Sequence, residues 1–177
     1  DVFRPCDDYS AFGQNGTSES DETINTEGPD NIVGLAKAWY RALSAEQVRM
    51  ILSDGSILRG TRHRALSRAE ARKLRARLID LEKAYKQIAQ SSEDEHLAIF
   101  ALYCSDTDEW AFFEALALGF GARNAVLGFN IFARALRFLL NTGLWLPTSH
   151  LFDDFSHVDA EGFSSNSCAT IESLFEL

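Results

Sequence analysis

The sequence predicts an α+β fold in which an antiparallel sheet packs on helices. Three observations carry this expectation. Helical spacing of apolar residues dominates the first third. Short apolar strands punctuated by turn residues begin near Leu78. The two kinds of segment run in blocks rather than alternating as βαβ units do. With 177 residues, 46% of them hydrophobic, the chain can bury one sizeable core, so a single domain is expected.

Taken in order, residues 12–30 are rich in Gly, Ser, Thr, Asn and Glu and read as a long loop. From Asn31 onward Ile32, Val33, Leu35, Ala36, Trp39 and Tyr40 fall near one helical face. A second helix is expected from Ser44, where Ser44 and Gln47 form a capping-box pattern, to Asp54-Gly55. A third is expected from Ser67, with Glu70 three residues on, to about Arg75. The period then changes. Leu78, Ile79, Asp80 and Leu81 read as a short buried strand, followed by a helical turn through Ala84, Tyr85 and Ile88. Residues 97–103 and 110–116 read as strands joined by a turn at Ser105-Asp106-Thr107-Asp108. Residues 124–140 form a helix apolar on most sides, which predicts burial, ended by Asn141-Thr142-Gly143. Residues 146–152 are a strand, Asp153-Asp154 a tight turn, and residues 155–159 the returning strand. Residues 164–177 begin a last helix.

Composition limits the function classes. No run is long and apolar enough to span a bilayer: residues 111–121 come nearest, and Glu114 interrupts them. Residues 1–8 are polar and acidic, unlike a signal peptide, and no initiating Met is present, so the chain reads as a fragment. Cys6, Cys104 and Cys168 stand far apart in no metal-ligand spacing, which fits a reducing, intracellular compartment, cytoplasmic or nuclear. The net charge of −9 argues against nucleic acid as a partner. Its distribution qualifies this, because Arg59, Arg62, Arg64, Arg68, Arg72, Lys73, Arg75 and Arg77 crowd into one stretch. Such a stretch is equally an ordinary solvated helix face.

Three features could carry chemistry. Asp153 and Asp154 are adjacent carboxylates at an expected hairpin tip, between Leu151, Phe152 and Phe155. They repel each other, and a divalent cation would relieve the repulsion; the plainer alternative is a solvated acidic turn. Asp80 ends an apolar strand, where a charge is costly unless paired, and a salt bridge to Arg75 or Arg77 is its plainer alternative. If the two strands are neighbours, Asp80 and Asp153 meet at one edge and could share two hard cations roughly 3.5–4 Å apart. The run Leu118-Gly119-Phe120-Gly121-Ala122-Arg123 before the long helix lets backbone approach a ligand, although a plain loop into a core helix explains it as well.

In order and spacing these features resemble the palm of a reverse transcriptase. The segment from Leu78 to Ile88, with Asp80 followed five residues later by Tyr85, resembles the first carboxylate motif. Residues 118–130 resemble the motif reading Leu-Pro-Phe-Gly, then small residues, then Phe. Leu151-Phe152-Asp153-Asp154-Phe155 resembles Tyr-x-Asp-Asp. Arg4-Pro5-Cys6-Asp7-Asp8-Tyr9-Ser10, with Asn15 beyond, resembles the fingers segment Arg-x-x-x-Asp-Phe that ends in Asn. The likeness spans nearly the whole chain and is weak from Thr17 to Arg75.

The resemblance implies a polymerase palm over residues 76–177 and partial fingers over residues 1–75, from a retrotransposon-type polyprotein. It implies RNA-directed DNA synthesis from dNTPs on an RNA or DNA template with primer, using two Mg²⁺ or Mn²⁺ ions, with no membrane partner. Asp80, Asp153 and Asp154 would be catalytic and metal-binding, with the Leu81 carbonyl as a further ligand. Tyr85 would gate against a ribose 2′-hydroxyl, its alternative being a core aromatic. Phe120, Gly121 and Ala122 would line the nucleotide pocket, with Phe129 packed beneath. Arg4 would meet the triphosphate, its alternative being a surface Arg. Two departures stand out: Gly119 replaces the usual Pro, and Phe152 replaces the usual Tyr or small residue. The thumb, the primer grip and any RNase H would lie in the remainder of the polyprotein, so this piece alone is expected to polymerise poorly or not at all. Two rivals remain: a degenerate palm that binds nucleic acid or a partner without catalysis, and an unrelated acidic, helix-rich interaction domain.

Overall fold

The computed structural model describes residues 8–11, 13–17, 19, 23–24, 27–45, 47–51, 54–61, 69 and 73–176. Arg4, Cys6, Ser67, Glu70 and the arginines 62, 64, 68 and 72 lie outside the described residues. In chain order the elements are α1 (Pro29–Ser44), β1 (Gln47–Ile51), β2 (Ile57–Thr61), β3 (Leu74–Asp80), β4 (Ile99–Cys104), β5 (Glu109–Glu114), α2 (Arg123–Phe138), β6 (Thr148–Leu151), β7 (Asp154–Ala160) and α3 (Glu161–Phe175). Among the described residues every strand pairing is antiparallel, so the fold is mixed helix and antiparallel sheet, of α+β type. No helix among the described residues is long and apolar enough to cross a membrane.

Two compact units divide the chain: Asp1–Asn25 with Glu82–Ala133, and Thr26–Leu81 with Arg134–Leu177. In the second unit β7 is the central strand of a three-stranded sheet ordered β3-β7-β6. Every residue from Phe155 to Ala160 is buried. Successive side chains of a strand point to opposite faces. Phe155, His157 and Asp159 therefore share one face, and α3 covers it: Phe155 meets Phe175 edge-on at 4.8 Å, and Asp159 accepts a hydrogen bond from Ser167. The other face carries Asp154, Ser156 and Val158. Helix α1 packs against β6 and β7, and its Trp39 indole N–H donates to the Val158 carbonyl at 2.7 Å.

Among the described residues, the free edge of β6 is closed by side chains rather than by another strand. Asn141 donates to the Thr148 carbonyl at 3.0 Å and accepts the Thr148 N–H at 2.7 Å. Glu27 accepts the His150 N–H at 3.1 Å and forms an ion pair with Arg137. Each satisfies backbone groups that an edge strand leaves unpaired.

Several expectations are corrected here. The expected helix from Ser44 to Gly55 is the β1–β2 hairpin. Ser44 instead closes α1, its hydroxyl donating to the Tyr40 carbonyl at 2.5 Å. The expected helix from Ser67 lies largely outside the described residues, and its expected end at Arg75 is already in β3, which begins at Leu74. That strand is not buried: as a sheet edge it hides Ile79 and leaves Leu78 exposed. Helix α2 is not buried all round, since Ile131, Phe132 and Phe138 are exposed while Ala125, Phe129, Ala133 and Leu136 are buried.

In the first unit β4 and β5 form a two-stranded ribbon. Eleven of its twelve positions are exposed and Phe100 is half-buried. Tyr103 and Trp110 pack ring on ring across it at 5.3 Å.

Candidate functional site

The register of β3 on β7 places Asp80 directly opposite Asp154. One rung further, the Leu81 N–H donates to the Asp153 carbonyl at 3.2 Å. Antiparallel rungs alternate between hydrogen-bonded and non-hydrogen-bonded pairs, and the second kind brings side chains closer. Since Leu81 and Asp153 occupy a bonded rung, Asp80 and Asp154 face each other across a close one. Their Cβ atoms then stand roughly 4.5–5.5 Å apart. Two carboxylates at about 5 Å repel by roughly 1 kcal/mol in water and roughly 3 kcal/mol in a half-exposed setting.

Asp153 sits beside this pair in the turn between β6 and β7. The turn is corrected by one residue: Leu151 pairs with Asp154, so its two loop residues are Phe152 and Asp153, and Asp154 is already in β7. Phe152 takes a left-handed conformation, φ 55°, at the first loop position, where glycine is the common occupant. A bulky residue held there stores backbone strain, and such strain concentrates at functional sites.

The electrostatics agree with the register. The Asp154 carboxyl is pushed above the usual carboxylate range by burial, then by the charges of Asp153 and Asp80. Asp80 itself is exposed. Its charge is hydrated, which removes the expectation that a strand-end carboxylate here must be paired to be tolerated. Neither arginine expected as its salt-bridge partner serves it. Arg75 holds Glu161, with Nε to Oε1 at 3.0 Å, and Arg77 donates to Ser164 at 3.3 Å.

Hard carboxylate oxygens on one rung and its adjoining turn are the donor type that Mg²⁺ or Mn²⁺ takes. Asp80, Asp153, Asp154 and the Leu81 carbonyl share that donor type. Among the described residues, no group of three or more His, Cys, Asp or Glu side chains is gathered closely enough to hold a metal ion.

The residues expected to meet the nucleotide belong to the first unit and are described there. Tyr85 lies in a 3₁₀ turn, Ala84–Gln87, and is buried. It meets Phe120 edge-on at 5.5 Å and Phe129 at 4.8 Å. Phe120 is the exposed member of this trio. Gly121 takes φ 108°, open to glycine and strained for other residues. Ala122 supplies the carbonyl to which Ala125 and Val126 donate, opening α2.

Asn15 has a role that its place at the end of a motif did not reveal. Its Nδ2 donates to the Gly121 carbonyl at 3.1 Å, and its Oδ1 accepts the Arg123 N–H at 2.8 Å. A side chain more than a hundred positions away thus pins the glycine loop and caps a free N–H at the start of α2. Gly119, where the resemblance leads one to expect Pro, also has a local reason. A Cβ there would stand 2.0 Å from the Tyr9 hydroxyl oxygen and 2.7 Å from Cζ. Tyr9 occupies the space that a larger residue would need.

No protein-family model matches the chain, and no curated protein matches it.

Proposed function

We propose that the chain carries the catalytic carboxylates of an RNA-directed DNA polymerase, adding dNTPs to a primer 3′-hydroxyl. The observation that carries this reading is the rung pairing Asp80 with Asp154, next to Asp153 in the turn. Carboxylates far apart in sequence share one rung and its adjoining turn, with Asp80 facing Asp154 rather than the expected Asp153, and this nearness supports the reading.

Divalent ions bound there would lower the pKa of the primer hydroxyl and neutralise charge on the phosphates. Asp80 and Asp154 would hold them from opposite strands, Asp153 from the turn and Leu81 through its carbonyl. The strained Phe152 turn would fix where Asp153 points. In the first unit, taken by itself, Phe120 is exposed and braced edge-on by Tyr85, a ring on which a base could stack, and Gly121 would let backbone approach that base. Buried Tyr85 would act through the position of Phe120.

Extension of a DNA primer on an RNA template, with Mg²⁺ or Mn²⁺ at high protein concentration, tests this reading. Metal-dependent incorporation is expected, reduced at least about a thousandfold, or ~4 kcal/mol of barrier, by Asp80→Asn or Asp154→Asn. Incorporation that survives both substitutions would overturn it. A second reading, a palm that binds without catalysing, is favoured by the open arrangement of the carboxylates. It gains if template–primer binds but no nucleotide is added.

A further inference from the structure

Arg41 and Arg134 are exposed on α1 and α2, and the other described arginines of the second unit fall into two groups. Arg75, Arg77 and Arg137 are engaged within the fold, by Glu161, Ser164 and Glu27. Arg49 and Arg59 are not: among the described residues neither makes an ion pair or a hydrogen bond, and both are exposed. They are also directly opposite each other in the β1–β2 hairpin. Like charges on one rung repel, so the pairing is unfavourable to the hairpin by itself. In a chain of net charge −9, no acidic residue occupies a strand position of this hairpin to relieve it.

Alternation along the strands sets what accompanies the pair. Gln47 and Thr61 form a rung on the same face toward one end, and Ile51 and Ile57 form one toward the turn. All are exposed. One face of a five-rung ribbon thus runs from polar hydrogen-bonding groups, through two free guanidiniums, to two aliphatic side chains. At about 3.4 Å per residue it is roughly 17 Å long, the length of several nucleotide steps. Helix α1 packs against β1 as well as against β6 and β7, so the ribbon is anchored to the helix that supports the carboxylate sheet.

We propose that the β1–β2 hairpin is a nucleic-acid-binding arm, with Arg49 and Arg59 gripping the phosphate backbone. Charge complementarity selects a polyanion. The guanidinium fork matches phosphate oxygens, and a two-stranded ribbon is a shape that a nucleic-acid groove admits. Gln47 and Thr61 add hydrogen-bonding groups for sugar and phosphate, while Ile51 and Ile57 give apolar contact with sugar faces. The hairpin lies where the family resemblance is weakest, and the inference does not require the carboxylates to be catalytic.

Fluorescence anisotropy of the whole chain with a labelled RNA–DNA duplex, over roughly 50–200 mM salt, tests it. Affinity is expected to fall with salt. The double variant Arg49→Gln/Arg59→Gln should bind at least about tenfold more weakly, with a log–log salt slope shallower by about 2, because each phosphate contact contributes about 0.9. Arg49→Lys/Arg59→Lys should keep most of that slope, which separates lost charge from a disturbed fold. Binding is measured with EDTA and without dNTPs, so failure of the polymerase reading leaves this result standing. Equal binding by wild type and the Gln variant would overturn the proposal. So would arginine-dependent binding to anionic phospholipid vesicles or to polyglutamate without binding to the duplex.

Discussion

Strands β7 and β4 invert the usual relation between composition and burial. β7 reads Asp-Phe-Ser-His-Val-Asp-Ala and is buried from its second residue to its last. β4 reads Ile-Phe-Ala-Leu-Tyr-Cys, is far more apolar, and has no buried position. Layering explains the difference. β7 has a strand on each side and α3 across one face, whereas β4 has β5 alone. A strand is buried by what stacks on it, and its own hydrophobicity only makes that stacking favourable. The cost falls on β7, whose polar groups must then be satisfied internally. Asp159 accepts from Ser167 and from the Ala160 N–H at 2.6 Å. His157 Nδ1 meets the Pro147 carbonyl at 2.9 Å, and since that oxygen can only accept, Nδ1 carries the proton. His157 Nε2 lies 3.7 Å from the Asp159 carboxylate, beyond ordinary hydrogen-bond length.

The largest expected effect is at the centre of the buried strand. Phe155→Ala should cost about 3–5 kcal/mol in chemical denaturation, because its fully buried ring packs on both His150 and Phe175. A loss below about 1 kcal/mol would mean that β7 is not the core. Asp159→Asn comes next, at about 1–3 kcal/mol. Burial pushes the Asp159 carboxyl up, but His157, the Ser167 hydroxyl and the Ala160 N–H outweigh it and hold the carboxyl below the usual range. Its contribution is therefore present above the unfolded carboxylate pKa, about 3.9, and is lost as pH falls through the lower folded value. Wild type should lose more stability than Asp159→Asn on acidification through that window, and parallel pH profiles would contradict this. The smallest effect is on the bare ribbon. Phe112→Thr, at a 70% exposed position, should change stability by less than about 0.5 kcal/mol. A loss of several kcal/mol would show that something covers this face.

The same inversion marks the limits of what the sequence disclosed. The mixed fold, the β4–β5 and β6–β7 hairpins, α2 and the turn at Ala84–Gln87 were all legible, because each rests on local periodicity or turn chemistry. The β1–β2 hairpin was misread. Asp54-Gly55 served as a helix stop, although Asp-Gly between apolar runs is a hairpin signal. Gly55 has φ 80°, and Asp54 accepts the Ser56 N–H at 2.8 Å, as a turn requires. In β3 the alternation Leu74, Ala76, Leu78 against Arg75, Arg77, Ile79 was present but masked by helix-favouring arginines. Sequence order could nominate Asp80, Asp153 and Asp154 but not their meeting, which depends on a register set by pairing across the sheet. The Asn15 clamp was hidden for the same reason.

Thermal unfolding of wild type and Asp154→Asn at pH 7, with EDTA and with increasing Mn²⁺, tests the carboxylate cluster most directly. The Asp154 pKa is raised in the fold. Its ionised form therefore costs stability at neutral pH, a cost relieved as pH falls below the raised value. Without metal, Asp154→Asn should be the more stable protein, by about 1 kcal/mol. Mn²⁺ should reverse the order: wild type gains about 2.7 kcal/mol when the ion reaches a hundred times its dissociation constant, and the variant gains much less. If Mn²⁺ moves neither protein, or moves both equally, Asp80, Asp153 and Asp154 do not form a cation site and the central claim fails.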